Sequence, residues 1–273
     1  MAAAAGTGPA VCLDLDGVVW RGNEPVPRSA DAVAEFRAAG LRVGFVTNNS
    51  GTPLGDVVTK LEKMGVPAEP NDVITSAVVA AELLAQELAS GAKVLPCAGP
   101  GVVAALTEKG FELVDRGPAD AVVVGIHTNF DYDELDRTSA ALREGARFVA
   151  TNIDPTYPAR DRVVPGNGAL VAAVQTASGV QPVVVGKPES PMADVVRERF
   201  GTRGVMVGDR PSTDGGFATV LGWPFGLVLS GVARRAPGPA DEPVPDPPPP
   251  FLGDDLAAIA PQIVSALAGQ SGS

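Results

Sequence analysis

The chain has 273 residues, enough for one large domain or two small ones, and its 45% hydrophobic content suffices for a real core. Its 32 acidic residues outnumber 21 basic ones, and the net charge of −11 argues against nucleic-acid and anionic-membrane partners. No apolar run approaches the roughly 18 residues of a membrane-spanning helix, and the Ala-rich start lacks the basic and apolar regions of a signal peptide.

Short β-branched runs alternate with amphipathic segments. Strands are expected over 10–15, 41–46, 93–97, 121–126, 146–150, 182–186, 204–208 and 225–230. Helices are expected over 29–39, 53–64, 76–89, 101–109, 131–144, 168–177, 191–200 and 212–221. Gly40, Gly65, Gly91, Gly110, Gly145 and Gly179 each follow a helical run, where a left-handed C-terminal cap wants glycine. The alternation predicts an α/β fold, with parallel sheets covered by helices. Cys12 and Cys97 fall in strands expected to be buried, and read as reduced thiols of a cytoplasmic protein. The Pro-rich stretch 236–250 can hold neither a helix nor a central strand. It reads as an exposed extended loop, or alternatively as a ligand for a proline-recognising domain. A last element, 251–268, would pack back onto the body.

Four features lie at ends of expected strands, where open α/β sheets build ligand sites. The first is Val11-Cys12-Leu13-Asp14-Leu15-Asp16-Gly17-Val18, which delivers two carboxylates into a turn. Period-two geometry would put Asp14 and Asp16 on one side, an arrangement suited to a divalent metal with one carboxylate left for chemistry. A calcium loop starting at Asp14 is excluded, because its fifth, sixth and twelfth positions hold Val18, Val19 and Pro25. The second feature is Thr47-Asn48-Asn49-Ser50, a hydroxyl and amides just before a helix, which make an anion cradle. The third is Lys187 in Gly186-Lys187-Pro188. The fourth is Asp209 in Gly208-Asp209-Arg210, with Asp214 five residues on. Each alone has an ordinary reading: an Asp-Gly turn, a polar turn, a surface lysine, a helix N-cap. Four in this order, each on a strand end, do not.

Together these motifs resemble the haloacid dehalogenase-like phosphohydrolases, in the branch of p-nitrophenyl, phosphoglycolate and sugar- or glycerol-phosphate phosphatases. The resemblance implies a Rossmann-like three-layer core with a parallel sheet, over 1–76 and 180–273. It further implies an inserted α/β cap domain over 77–179 that closes on the site and excludes water. On the same footing, Asp14 would be the nucleophile and form an aspartyl-phosphate, and Asp16 the general acid and then base. Mg²⁺ would be held by Asp14, the Asp16 backbone carbonyl and Asp209, with Asp214 a ligand or an orienter of bound water. Thr47 and the amides of Asn48 and Asn49 would hold the phosphoryl oxygens, and Lys187 would neutralise them. The implied substrate is a small phosphorylated metabolite, and a homodimer through the cap fits the same reading. One departure stands out: Gly215-Gly216 follows Asp214 where the family has better helix formers, weakening the helix start by roughly 1–2 kcal/mol.

The loop from Thr151 through Gly168 is polar and glycine-rich, and is either the substrate-reading surface or an ordinary surface loop. His127 is the one histidine; nothing in the sequence pairs it with an acid, and it reads as structural. Trp20 and Trp223 are expected in the core or at the domain seam. Two other functions remain open at this level. Gly99-Pro100-Gly101-Val102-Val103-Ala104 opens a helix after a strand, in the form of a dinucleotide fingerprint and hence an oxidoreductase, although Pro100 removes a backbone donor. A phosphotransferase or phosphomutase would use the same aspartyl-phosphate chemistry on a different acceptor.

Overall fold

The structure is a computed structural model, and it describes residues 8–158, 163–238 and 241–268. The chain forms two compact units. The first comprises Met1–Thr47, Val58–Ile74 and Ala193–Ser273, and the second Asn48–Val57 and Thr75–Met192.

The first unit is built on a six-stranded sheet in the order Phe251–Gly253, Phe225–Val228, Gly204–Gly208, Ala10–Leu13, Arg42–Thr47, Val73–Thr75. Its first five strands are mutually parallel, with Leu13 opposite Val207 on one side and Phe45 on the other. All four residues of Ala10–Leu13 are fully buried, as a central strand covered on both faces requires. The helix Ser29–Ala38 turns Ala32, Val33 and Phe36 inward and packs on Leu256–Ala268, which buries Leu256, Ile259, Ala260, Ile263 and Leu267. Gly44 sits mid-strand because the Phe200 ring lies where its side chain would be: an added Cβ would stand 2.6 Å from that ring.

The second unit has its own five-stranded parallel sheet, ordered Val183–Val184, Arg147–Ala150, Ala121–Val124, Lys93–Cys97, Glu112–Leu113. Leu95, Cys97, Val122, Val124, Phe148 and Ala150 from this sheet pack with Leu142, Val171 and Val174 from the helices Tyr132–Arg143 and Asn167–Ser178. Two of its helices, Ser76–Glu87 and Tyr132–Arg143, have side-chain caps at their starts. The Thr75 hydroxyl accepts the Val78 N–H at 3.2 Å, and the Asp131 carboxylate accepts the Glu134 N–H at 2.8 Å. An antiparallel pair, Thr156–Pro158 with Val163–Pro165, lies within the 151–168 loop.

The α/β architecture with parallel sheets is the one the alternating pattern predicts. Several elements differ from expectation. The strand expected to 15 ends at Leu13, so Asp14 and Asp16 lie in the turn beyond it and strand alternation does not orient them. Val73–Thr75 is a sheet strand that three residues are too few to announce. The segment near 182–186 supplies Val183–Val184 to the second sheet, within a unit that continues past residue 180. The helix expected from 212 begins at Gly216, after a wide turn over Pro211–Gly215. There a Cβ on Gly215 would stand 3.2 Å from the Phe225 ring, a tight contact. The last element is a strand followed by a helix. Trp20 and Trp223 are buried. Of the Pro-rich stretch, residues 239–240 lie outside the described residues; Glu242–Pro243 pairs with Ala233–Arg234, and Glu242 accepts from the Ser212 N–H and hydroxyl at 2.8 and 2.6 Å. Among the described residues no helix is long and apolar enough to cross a membrane.

Candidate active site

Two adjacent parallel strands of the first unit, Ala10–Leu13 and Gly204–Gly208, end side by side and hand the chain to Asp14 and Asp209. The Asp14 N–H donates to the Val207 carbonyl at 2.8 Å, extending the ladder by one bond and fixing where Asp14 leaves the sheet. Asp214 returns to the same place from the wide turn, where its carboxylate accepts the Arg210 N–H at 3.1 Å. Asp209 is held by the Val232 N–H at 2.6 Å. The carboxylate oxygens of Asp14, Asp209 and Asp214 all lie within 4.8 Å of one another, with the residues 8%, 5% and 1% exposed. At that separation and an effective dielectric constant near 20, each like-charged pair repels by about 3 kcal/mol. Glycine lets the backbone come this close. A Cβ on Gly17, Gly208 or Gly231 would overlap the carboxylate of Asp209, Asp214 and Asp209 respectively, and Gly17 also needs its φ of +87°. Three hard oxygen donors, buried, converging and walled by bare backbone, have the chemistry of a site for a hard divalent cation.

Asp16 stands apart from that group. Its carboxylate accepts the Trp20 indole N–H at 2.9 Å. The Lys60 ammonium lies 4.0 Å from the centre of the Trp20 ring. Burial pushes Lys60 below its usual range, and the charge of Asp16 opposes that shift. The two acids of the first motif thus occupy different surroundings: Asp14 among carboxylates, Asp16 beside an indole and a cation.

Thr47 ends the strand Arg42–Thr47 and is buried. The next residue begins the second unit, where Asn48 clasps the peptide of Lys187. Its Oδ1 accepts the Lys187 N–H at 2.7 Å, and its Nδ2 donates to the Lys187 carbonyl at 3.0 Å and to Asp154 Oδ2 at 3.1 Å. The Asn48 carbonyl accepts from the Ser76 hydroxyl at 2.7 Å and from Asn152 Nδ2 at 2.8 Å. Asn49 Oδ1 accepts the Gly51 N–H at 3.0 Å. Lys187 is only 3% exposed. The strap extends further: Thr151 donates to the Ser50 hydroxyl at 2.9 Å, and Asn167 Nδ2 donates to the Asn152 carbonyl at 2.8 Å. Sequence reasoning missed Asn152, Asp154 and Asn167 as members of this network, although their polar side chains at loop ends beside a buried strand were the available signal. Of the Thr151–Gly168 loop, read as a substrate-reading surface or an ordinary surface loop, the end residues Thr151, Asn152 and Asn167 are buried.

Comparison with known proteins decides the family. A model described as haloacid dehalogenase-like hydrolase matches residues 11–112, and a related HAD-hydrolase-like model matches 184–259. D-glycerol 3-phosphate phosphatase of Mycobacterium tuberculosis is 36% identical over 250 residues, covering 90% of this chain and 69% of that protein. An acid sugar phosphatase of Staphylococcus saprophyticus is 36% identical over 208 residues, 75% of this chain and 80% of that protein. The chain belongs to the haloacid dehalogenase-like hydrolases. The family and the enzyme class implied by the four motifs both hold. Among solved structures, glycerol phosphate phosphatase from Mycobacterium tuberculosis in complex with magnesium matches with a TM-score of 0.80 at 34% identity, covering 93% of this chain and 77% of that one. The p-nitrophenyl phosphatase from Archaeoglobus fulgidus matches with a TM-score of 0.84 at 25% identity, covering 93% and 99%.

In this hydrolase the dinucleotide reading of Gly99–Ala104 falls away. A Cβ on Gly101 would strike the carbonyls of Ser50 and Thr52, and one on Gly99 would lie 2.9 Å from the Ile126 carbonyl. These glycines let the chain pack on itself. His127, expected without an acidic partner, has one: its Nε2 lies 2.7 Å from Glu134 Oε2, while Nδ1 lies 3.0 Å from the Gly125 carbonyl. Cys97 is buried beside this pair, and desolvation, aided by the Glu134 charge, pushes its thiol up to about 12.

The Asn48 clasp carries a prediction. Asn48→Ala leaves the buried peptide N–H and C=O of Lys187 without these partners, so it should lower stability by about 2–4 kcal/mol. Thermal or urea unfolding of the variant measures this, and a loss below about 0.5 kcal/mol would contradict the clasp.

Proposed function

We propose that this hydrolase is a Mg²⁺-dependent phosphomonoesterase acting on a small phosphorylated metabolite of the sugar- or glycerol-phosphate class. The observation that carries the reading is the buried convergence of Asp14, Asp209 and Asp214. These carboxylates fit a hard divalent cation, and all three lie in the motifs that resemble the family's catalytic motifs. Asp14, Asp209, Asp214 and the backbone carbonyl of Asp16 would hold Mg²⁺, which when bound offsets the carboxylate charge and draws in a phosphoryl oxygen. The relatives add support: one is a glycerol phosphate phosphatase solved with magnesium, and others are sugar and p-nitrophenyl phosphatases.

An Asp14 oxygen attacks phosphorus, the ester P–O bond breaks, and Asp16 gives its proton to the leaving alkoxide. Water then attacks the aspartyl-phosphate, Asp16 takes its proton, and inorganic phosphate leaves with Asp14 regenerated. The Trp20 indole N–H, bonded to the Asp16 carboxylate at 2.9 Å, supports a positioned Asp16 for this proton transfer. Thr47 and the backbone amides of Asn48 and Asn49 would hold the phosphoryl oxygens, and Lys187 would neutralise their charge. Its backbone clasp by Asn48 supports a positioned rather than a roaming lysine. The second unit is assigned the part of a cap that keeps bulk water from the phosphoenzyme. Two buried cysteines, neither in a disulfide, fit a cytoplasmic setting.

Assays of phosphorylated metabolites for released phosphate, with and without Mg²⁺, test the reading. Phosphate and alcohol should appear in equal amounts; alcohol in excess would show transfer to another acceptor instead. Asp14→Asn should abolish turnover with the fold intact, and circular dichroism with comparable activity would overturn the nucleophile. Asp16→Ala should slow hydrolysis of an alkyl phosphate at least about a hundredfold, and p-nitrophenyl phosphate much less, because nitrophenolate leaves without a proton. Equal losses on both substrates would contradict the acid role.

A further inference from the structure

We propose that Cys97, His127 and Glu134 form a second metal site, selective for a borderline transition metal such as Zn²⁺, at the strand ends of the second unit. The thiol sulfur, the imidazole nitrogen and a carboxylate oxygen lie within 4.8 Å of one another. Cys97 ends the strand Lys93–Cys97, in register with Val124 on the neighbouring parallel strand, and His127 follows that strand by three residues. The group therefore sits beyond the carboxyl ends of two parallel strands, where open α/β sheets place ligands.

The hydrogen bonds prepare the histidine for metal. A backbone carbonyl only accepts, so the 3.0 Å contact with the Gly125 carbonyl puts a proton on Nδ1. That bond fixes the ring and aims Nε2 at the group, the usual arrangement behind a metal-ligating imidazole. At 2.7 Å, Nε2 and Glu134 Oε2 need one proton between them. A metal ion takes the place of that proton and of the Cys97 thiol proton, so two protons are released when it binds. Arg137 holds the other carboxylate oxygen, Oε1, at 3.2 Å and leaves Oε2 for the ion.

The Thr138 hydroxyl is fully buried beside the Cys97 sulfur, and its hydrogen bond to that sulfur favours the thiolate, the form a metal binds. It, or a water it binds, supplies the fourth position of a tetrahedral site. Sulfur, nitrogen and oxygen donors favour zinc-like ions, whereas the three carboxylates of the first unit favour magnesium. The two sites are thereby separable by metal.

The test strips the full chain with chelator and titrates Co²⁺ in excess Mg²⁺, watching for the near-ultraviolet thiolate-to-cobalt charge-transfer band that only a sulfur ligand produces. One equivalent of Co²⁺ should raise the band, and Zn²⁺ should then abolish it. Cys12→Ser and Asp209→Asn should keep it, Cys97→Ser should lose it, and His127→Gln should weaken Co²⁺ binding at least about tenfold. A wild-type chain with no band overturns the proposal, as does a band that survives Cys97→Ser or undiminished binding by His127→Gln. Because the readout is spectroscopic, failure of the phosphatase reading leaves it unaffected.

Discussion

Mutual repulsion among three buried carboxylates is the constraint on which the first unit turns. Asp14, Asp209 and Asp214 present oxygens within 4.8 Å of one another, where each pair repels by about 3 kcal/mol. A chain selected for stability alone would replace one of them. This chain invests its local structure in keeping them together. Two adjacent strands end in register so that two acids emerge side by side, and a wide turn brings back the third. Glycines at 17, 208 and 231 withhold the side chains that would push the carboxylates apart. A cation is the simplest resolution of that repulsion, and phosphoryl transfer is the chemistry that needs one.

The second unit solves a different problem, that of burying polar side chains with most of their hydrogen bonds made. Asn48 spends its whole amide on the Lys187 peptide and Asp154, while its own carbonyl accepts from Ser76 and Asn152. Ser50, Thr151 and Asn167 continue the network. Apart from Asn167 Oδ1 the set is well connected, and removing one member would orphan others, which makes it a device for fixing geometry. It ties the chain around Asn48 to the chain around Lys187 across the unit's own fold.

Much of this was legible in the sequence because it is encoded in short-range pattern. The apolar run that ends in Asp14-Leu15-Asp16-Gly17 and the one that ends in Gly208-Asp209 announce strands that deliver acids, and the alternation of strand and helix announces parallel sheets. What escaped the reading depends on distant partners. Val73–Thr75 is a strand because an edge position was open beside Arg42–Thr47, and three residues carry too little pattern to reveal it. Glu134 fell inside the helix expected over 131–144; Asp131 caps that helix, and its first turn also aims the Glu134 carboxylate at His127. The clasp of the Lys187 peptide by the Asn48 side chain was likewise not legible from the polar turn in which Asn48 lies. In each case the residue type was informative and its partner lay beyond any local window.

The central claim is that Asp14, Asp209 and Asp214 share one divalent cation. Calorimetric titration of Mg²⁺ into the metal-stripped chain, beside its Asp209→Asn variant, tests it most directly. A single site in the wild type that weakens at least about tenfold in the variant is the predicted result. Absence of binding to the wild type, or equal affinity in both, would contradict it.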